Sequence, residues 1–412
     1  MDEASVLEGL RSSDPYVRVA ACRDAEKHAE QARLPLPVLQ GLIALRFDAT
    51  PVDEYPPTHI PPGEILAEIP YSDRGKLTQV REHALNATHN AGRGNGKKGM
   101  IDRIAEEGGI SVEDVNSDLR AQCGRDDTLF LDYRGIHQVA AGRGVQLRDV
   151  YARDFPEDTV LRPMVELLRD KDYWFRRYGV AFFMYMAGKR ELPEPYLRHV
   201  ASLMGCSTGE GGVCQGGLSN GIPMRGDPDV EVNRLAGEAL ADAAEIQAFP
   251  EDVVRRLHLI SQEGTRHSSN ASSRALINLS DKQELPVEAI QDFGADLSHQ
   301  DDFMRKSSLE RLSRICGRQR FPTEMQEQLA FTLNDESGEN RELAGQVIRG
   351  QLKKDPQGMR QALESAGGSW RADGKTDLVA TVDELLAAGP PTTRMELKPD
   401  GGGQPKNRLK PH

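Results

Sequence analysis

Residues 285–322, LPVEAIQDFGADLSHQDDFMRKSSLERLSRICGRQRFP, begin and end with an apolar residue followed by proline. The chain holds four such pairs in this region, Leu192-Pro193, Phe249-Pro250, Leu285-Pro286 and Phe321-Pro322. The last three prolines are 36 residues apart, whereas the first two are 57 residues apart. The excess of 21 residues equals the length of the Gly-rich stretch 206–226, so one insertion explains the irregular spacing.

Each period contains two helical patterns. Proline suits the first turn of a helix, because its missing N–H would have no intrahelical partner there. Apolar residues then recur at intervals of three and four, as in Ile290, Phe293 and Leu297, and a second stripe follows between Leu309 and Ile315. One such hairpin cannot cover its own apolar face, so neighbouring hairpins must stack. The period therefore predicts an all-α fold, an α-α superhelix with a concave side.

An Asp precedes the second helix of several periods, and an Arg follows it four residues later. The pairs are Asp14 and Arg18, Asp172 and Arg176, and Asp301 and Arg305. In the next periods Ser337 precedes Arg341, and Asn233 follows Asp229. This pattern resembles the HEAT-repeat family, and the resemblance implies a solenoid with a polar ladder between repeats. It covers residues 158–354 and also fits residues 1–47.

The composition favours a soluble protein of the reducing cytoplasm. The chain has 52 Lys and Arg against 64 Asp and Glu, and its net charge of -12 opposes non-specific binding to nucleic acid or anionic membrane. Five cysteines in 412 residues do not form a disulfide framework. The acidic N-terminus lacks the apolar core of a secretory signal, and no apolar run approaches the roughly 18 to 20 residues that span a bilayer. We therefore expect a cytoplasmic protein without a membrane partner.

The chain divides into segments of different character. We expect an N-terminal helical cap or repeat at 1–47, a Pro-rich linker at 48–75, a helical insert at 76–157, a HEAT-like repeat array at 158–388 and a disordered tail at 389–412. The prolines of the linker predict an extended, semi-rigid segment. It serves as a plain surface connection or as a strap that lies over the solenoid, and a polyproline strip that binds a partner is the alternative.

The helical insert contains a second internal repeat. Residues 101–115 and 136–150 share Ile, Ala, Gly, Asp and Val at identical offsets, 35 residues apart. The spacing resembles a helix-turn-helix, with a small Ala where two helices touch and a Gly in the turn. Two hairpins that only pack as structure are one interpretation, and nucleic-acid binding is the alternative. The candidate nucleic-acid contacts are Arg93, Lys97, Lys98, Arg148 and Arg153.

Residues 173–185 contain 7 of the 22 aromatic residues of the chain. Aromatic side chains beside arginines are typical of a binding hot spot or of a platform on which nucleobases stack. An overpacked junction in the core is the alternative. The segment WFRR with its apolar helix is also similar to the HEAT-fold DNA glycosylases, although the catalytic Asp framed by tryptophans is missing. The candidate partner-binding residues are Tyr173, Trp174, Arg176, Arg177 and Tyr178.

The sequence favours a non-catalytic scaffold that binds a protein partner through its concave repeat surface. Loop 206–226 is a further candidate contact, because long loops on repeat arrays commonly carry specificity. Phosphate-binding, zinc-protease and dinucleotide motifs are missing from the chain, and Cys206, Cys214 and His199 do not match a zinc spacing. We therefore expect no metal, no cofactor and no enzymatic activity. A nucleic-acid-binding protein is the alternative.

Overall fold

A computed structural model describes residues 2–48, 79–94, 96–123, 132–205, 218–219, 222–223, 226–264 and 266–388. The chain divides into two compact units, Met1–Pro286 and Val287–His412. Most of the Pro-rich linker, the outer part of loop 206–226 and the C-terminal tail lie outside the described residues. Nearly all regular structure in the described ranges is helical, as the repeat pattern predicted.

The helices of the first unit are α1 (Glu3–Leu10), α2 (Pro15–Ala29), α3 (Leu36–Ala44), α4 (Gln79–Arg93), α5 (Gly96–Gly108), α6 (Val112–Cys123), α7 (Tyr133–Gly142), α8 (Leu147–Asp154), α9 (Arg162–Leu168), α10 (Tyr173–Ala187), α11 (Glu194–Leu203), α12 (Val230–Ala244), α13 (Glu251–Glu263) and α14 (Arg266–Leu279). A 3-10 turn, Leu45–Phe47, extends α3, and a π-helical turn, Glu157–Leu161, precedes α9. Two short antiparallel strands, β1 (Leu218–Ser219) and β2 (Ile222–Pro223), lie between α11 and α12.

Five helix pairs form the repeats of the first unit. The pairs are α1 with α2, α3 with α4, α9 with α10, α11 with α12, and α13 with α14. Their second helices stack in one row, in the order α2, α4, α10, α12 and α14. Along the sequence, residues 49–78 connect the two helices of the second pair, and residues 206–226 connect those of the fourth pair. Helices α5 to α8 form the insert between the second and third pairs.

The second unit repeats the same hairpin. Its helices are α15 (Val287–Gly294), α16 (Asp302–Ile315), α17 (Thr323–Phe331), α18 (Gly338–Lys354), α19 (Pro356–Ala372) and α20 (Thr376–Ala388). Helix α16 packs against α18, and α17 packs against α19, so the first helices and the second helices again form separate rows. Helix α20 packs against α19 and completes the last pair.

The predicted Asp and Arg positions build the start of the second helices. Asp14, Asp172 and Asp301 each accept a hydrogen bond from the backbone N–H two residues later, at 2.9, 3.0 and 2.9 Å. Such caps satisfy N–H groups that have no partner within the helix. Ser337 and Asp229 accept from the N–H three residues later instead. Ser and Asp both supply a side-chain oxygen that can accept from these N–H groups, so Ser can replace Asp at this position.

In three repeats the Arg bonds to an Asp of the following repeat, and the sequence pattern did not identify this partner. Arg176 Nη2 lies 3.0 Å from Asp227 Oδ1, and its Nε bonds to the other carboxylate oxygen. Arg18 bonds to Asp48 at 2.8 Å, and Arg305 bonds to Asp335 at 2.6 and 3.0 Å. Each of the three arginines also donates to two carbonyl groups in its own turn. This row is the polar ladder that the resemblance to HEAT repeats implied.

A second ladder uses glutamine. Gln247 accepts from Leu192 N at 2.6 Å and donates to Leu192 O at 2.9 Å, so it fixes the residue before the proline of the preceding repeat. Gln283 accepts from Phe249 N at 2.6 Å in the same way, and in the second unit Gln351 accepts from Phe321 N at 3.0 Å. The sequence carries this signal as Gln two residues before Phe-Pro or Leu-Pro at positions 247 and 283, whereas Gln351 does not stand at that spacing.

The two hairpins of the insert have the same turn. Gly109 and Gly144 have φ angles of 60° and 75°, a left-handed conformation that favours glycine. The next residue closes each turn, with Ile110 N donating to Ala105 O at 3.0 Å and Val145 N donating to Ala140 O at 2.8 Å. This hydrogen bond is that of a Schellman helix end. The recurring Ala and Gly of the sequence repeat thus belong to one repeated helix-terminating structure.

Candidate functional site

The aromatic cluster of α10 belongs mainly to the core. Trp174 and Tyr178 are 2% and 3% exposed, and the Tyr178 hydroxyl bonds to Asn86 Oδ1 of α4 at 2.9 Å. Burial raises the pKa of Tyr178 well above its usual value. These two residues therefore cannot form the surface contact that the sequence suggested. The reason is that α10 packs against α4 on one side and α12 on the other, so its rings are buried on more than one face.

The two arginines of the predicted patch are engaged within the repeats. Arg176 belongs to the ladder through Asp227. Arg177 forms two parallel hydrogen bonds with the Asp229 carboxylate, at 2.9 and 2.8 Å, and its guanidinium carbon lies 4.8 Å from the Trp174 ring centre. A bidentate pair of this kind holds the arginine in a fixed geometry. Tyr173 is partly exposed and packs beside Trp174. A partner contact by Tyr173 and the edges of the arginines stays a prediction.

Helix α12 carries a narrow charged stripe, which we call the α12 stripe and define as Glu231, Arg234, Glu238, Asp242 and Glu245. The rest of the helix is buried, apart from Val230 at its start. Arg234 bonds to both Glu231 and Glu238, which lie three residues before it and four residues after it. The side chains of these three residues are between one-fifth and about one-third exposed, so the stripe is recessed.

The C-terminal half of the stripe holds carboxylates in a poorly solvated position. The pKa of Asp242 is raised to about 7, mainly by burial and in part by repulsion from Glu245 and Glu238, while Arg274, 3.4 Å away, opposes the shift. Burial also raises the pKa of Glu245, which accepts a hydrogen bond from Tyr133 N of the insert at 2.7 Å. Carboxylates with raised pKa values are stabilised by an added cation. The stripe therefore favours a positively charged ligand group.

Two of the residues predicted to bind nucleic acid are occupied by internal contacts. Arg148 pairs with Glu191 and donates to Ile246 O at 2.8 Å, and Arg153 pairs with Glu107 at 2.7 Å. Both arginines lie on α8, the helix that corresponds to the recognition helix in the helix-turn-helix resemblance. Their charges are therefore paired with carboxylates of the protein itself.

The basic residues at the end of α4 and the start of α5 are arranged differently. The Lys97 ammonium lies 5.1 Å from the Tyr133 ring centre, in cation–π range. Arg93 and Lys98 line an open cleft of about 410 Å³ that Glu30 and Asn90 also line. The five predicted residues do not form one continuous basic face in the described part of the chain. The nucleic-acid interpretation therefore finds no support.

Loop 206–226 is anchored at its base. Asp227 N donates to Leu203 O at 2.9 Å, and Asn233 donates to Gly205 O at 2.9 Å. A Cβ on Gly226 would lie 2.5 Å from Gly205 N, so only glycine allows this close approach. Asn233 stands at the Arg position of this repeat, and it bonds to the loop base and to Ser268 of α14 instead of to an Asp. Cys206 and Cys214 lie outside the described residues.

The described ranges also bear on metal binding and membrane insertion. No group of three or more His, Cys, Asp or Glu residues there is arranged to hold a metal ion. No helix in those ranges combines the length and the apolar character needed to cross a bilayer.

The stacked helix pairs and their ladders define a helical-repeat protein. No protein-family model matches the chain, and no curated protein matches it either. Among solved structures, an engineered protein is 15% identical with a TM-score of 0.39, covering 95% of this chain and 100% of its own. A designed armadillo repeat protein is 12% identical with a TM-score of 0.34, covering 85% and 100%. The complex of CpcE and CpcF of phycocyanin lyase from Nostoc sp. PCC7120 is 13% identical with a TM-score of 0.31, covering 88% and 93%.

Proposed function

We propose that this protein is a non-catalytic, cytoplasmic scaffold that binds a basic segment of a protein partner on the α12 stripe. The observation that carries the proposal is the stripe itself, where Glu238, Asp242 and Glu245 lie together on a recessed face of a helix that is otherwise buried. A reducing compartment suits the buried free thiols of Cys22 and Cys316.

The physical argument is electrostatic. Holding several carboxylates in a poorly solvated position is unfavourable in the free protein, and the raised pKa of Asp242 reflects this cost. A Lys or Arg side chain of a partner would offset it by adding a cation where water is scarce. Groups with strongly perturbed pKa values in a recess are candidates for binding sites for this reason. The net charge of -12 would also accelerate the approach of a basic partner.

The ladders supply the rigidity that such a surface needs. The Arg176 ladder bonds and the Gln247 ladder bonds fix α10, α11 and α12 relative to one another through side-chain contacts at several points. A rigid surface loses little conformational entropy when it binds, so more of the contact energy appears as affinity. Tyr173 and Arg177 lie on the neighbouring helix and would extend the contact.

The test is affinity purification from the native host with quantitative mass spectrometry. The variant Glu238→Gln/Asp242→Asn removes two charges from the stripe without changing side-chain size. The matched control Glu194→Gln/Glu251→Gln removes two exposed carboxylates from the first helices α11 and α13. We expect the first variant to lose a partner that the wild type and the control both retain, and we expect added salt to weaken that capture. Equal partner recovery by all three proteins would contradict the proposal.

A further inference from the structure

A chamber of about 230 Å³ lies where the insert meets the repeats of the first unit. Its walls come from the turn after α2, the end of α4, helices α5 and α8, and the turn after α10. At about 30 Å³ for each water molecule, the space equals about eight waters. The wall residues that bear on its chemistry are Arg33, Asp102, Arg103, Tyr151, Asp154 and Lys189.

Lys189 is a buried cation without a carboxylate partner in the described part of the chain. It is 1% exposed, and its Nζ donates to Gly92 O at 2.6 Å and to Arg93 O at 2.7 Å. Burial lowers its pKa to about 7. An ammonium group has three N–H donors, and these two carbonyl groups use two of them. One donor therefore remains for a group inside the chamber.

Tyr151 is also buried, with 7% exposure, and its hydroxyl makes no hydrogen bond to the described residues. Its ring centre lies 5.5 Å from Lys189 Nζ. The hydroxyl itself is not among the polar atoms that are both buried and unpaired, so water reaches it and a group bound in the chamber can accept its hydrogen bond. The unused hydroxyl and the unused ammonium donor thus belong to neighbouring side chains of the same chamber.

The two arginines of the chamber wall are already paired with carboxylates. Arg103 pairs with Asp154 at 3.2 Å and with Glu107 at 2.9 Å, and Arg33 pairs with Asp154 as well. The charges of both arginines are thus compensated, and the Nε of Arg103 is the one buried donor of theirs that stays without a hydrogen bond among the described residues. Lys189 carries the charge in the wall that no carboxylate compensates, and Tyr151 carries an unused hydroxyl beside it. The carboxylate of Asp102 also lines the chamber, and its repulsion favours one compact anionic group over a ligand with several.

We propose that this chamber binds a small molecule through a single carboxylate or phosphate group, which accepts hydrogen bonds from Lys189 and Tyr151. Such a group supplies both the counter-charge that the buried ammonium lacks and the acceptor that the hydroxyl lacks. The ligand would connect the insert, which carries Tyr151, to the repeats, which carry Lys189. This site is separate from the α12 stripe, and neither proposal depends on the other.

The experiment is isothermal titration calorimetry of the full chain with inorganic phosphate, acetate and succinate, at constant ionic strength maintained with chloride. We expect saturable binding of one molecule per chain for at least one of these probes, together with a rise in melting temperature. Binding of phosphate alone would identify a phosphate ligand, and binding of acetate or succinate alone would identify a carboxylate ligand.

Tyr151→Phe is the decisive variant, because its hydroxyl has no protein partner to lose. We expect the unliganded variant to melt at the wild-type temperature but to bind the probe about tenfold to a hundredfold more weakly, as expected for a lost hydrogen bond to an ion. The matched control is Tyr196→Phe, an equally buried tyrosine outside the chamber whose hydroxyl donates to Glu157 at 3.1 Å; its affinity should be unchanged. Absence of saturable binding to the wild type, or equal affinity of Tyr151→Phe and the wild type, would overturn the proposal.

Discussion

Removing one arginine of the ladder should destabilise the first unit far more than removing an exposed arginine. The Arg176 side chain is 12% exposed and its partner Asp227 is 3% exposed. Arg176→Ala leaves the Asp227 carboxylate buried without its cation, and leaves the carbonyl groups of Asp170 and Lys171 without donors. Breaking a buried pair in this way costs about 3–5 kcal/mol, because the remaining charge has no compensation.

The two tryptophans allow this loss to be assigned to one unit. Trp174 lies in the first unit and Trp370 in the second, and both are buried. In a Trp370→Phe background, urea unfolding followed by tryptophan fluorescence reports on the first unit, and the midpoint with its slope gives the free energy of unfolding. Fluorescence and far-ultraviolet circular dichroism are compared, because a chain of two units need not unfold in one step.

The matched control is Arg198→Ala on α11. Arg198 pairs with Asp252 at 2.9 Å, but the two side chains are 44% and 60% exposed, so water replaces the lost contact. Exposed pairs contribute little to stability. We expect a large drop in the free energy of unfolding for Arg176→Ala and at most a marginal one for Arg198→Ala. Equal losses in the two variants would refute the view that the ladder is a buried structural element.

Two further predictions concern the second ladder and the α12 stripe. Gln247→Ala leaves the N–H and C=O of Leu192 unpaired in the core. Each unpaired group should lower the free energy of unfolding, measured with urea, by about 1–3 kcal/mol. A total loss below about 1 kcal/mol would contradict this reasoning. For Asp242, the folded pKa of about 7 exceeds the unfolded value of about 3.9, so its contribution to stability is full below pH 4 and is lost as the pH rises through 7. Asp242→Asn should remove this fall, and parallel stability curves for variant and wild type between pH 4 and 7 would show that Asp242 ionises normally.

The sequence predicted the repeat because its signals are local. An apolar residue before a proline, an Asp that caps a helix and an Arg four residues later each act within one hairpin, and the period makes them visible. The partners of these residues were not visible, because they lie in the next repeat at variable distances along the chain. Arg176 and Asp227 are 51 residues apart, with the Gly-rich loop between them, whereas Arg305 and Asp335 are 30 apart.

The aromatic helix shows why composition alone misplaced the candidate site. An aromatic and arginine cluster has the same composition in a binding surface and in a core that is packed on several sides. The number of helices that pack against α10 decides whether its rings are exposed or buried. In the structure α4 packs against α10 in addition to α12. The sequence gives no sign that α4 precedes α10 in the row of second helices, because the four helices of the insert separate them along the chain. The rings that would otherwise be exposed are therefore covered by a helix whose position depends on tertiary packing.

The same reasoning explains why both proposed sites escaped prediction from the sequence. The carboxylates of the α12 stripe follow a helical spacing that is common on solvated helix surfaces, and their significance arises only because neighbouring helices remove water from around Asp242. Lys189 and Tyr151 are ordinary residues in the sequence, one in a turn and one in a short helix of the insert. They become a candidate site because the insert packs against the end of α4, where a buried ammonium and a buried hydroxyl share a chamber. In this protein the repeated features maintain the fold, and the candidate binding chemistry arises from tertiary packing that the repeat pattern does not show.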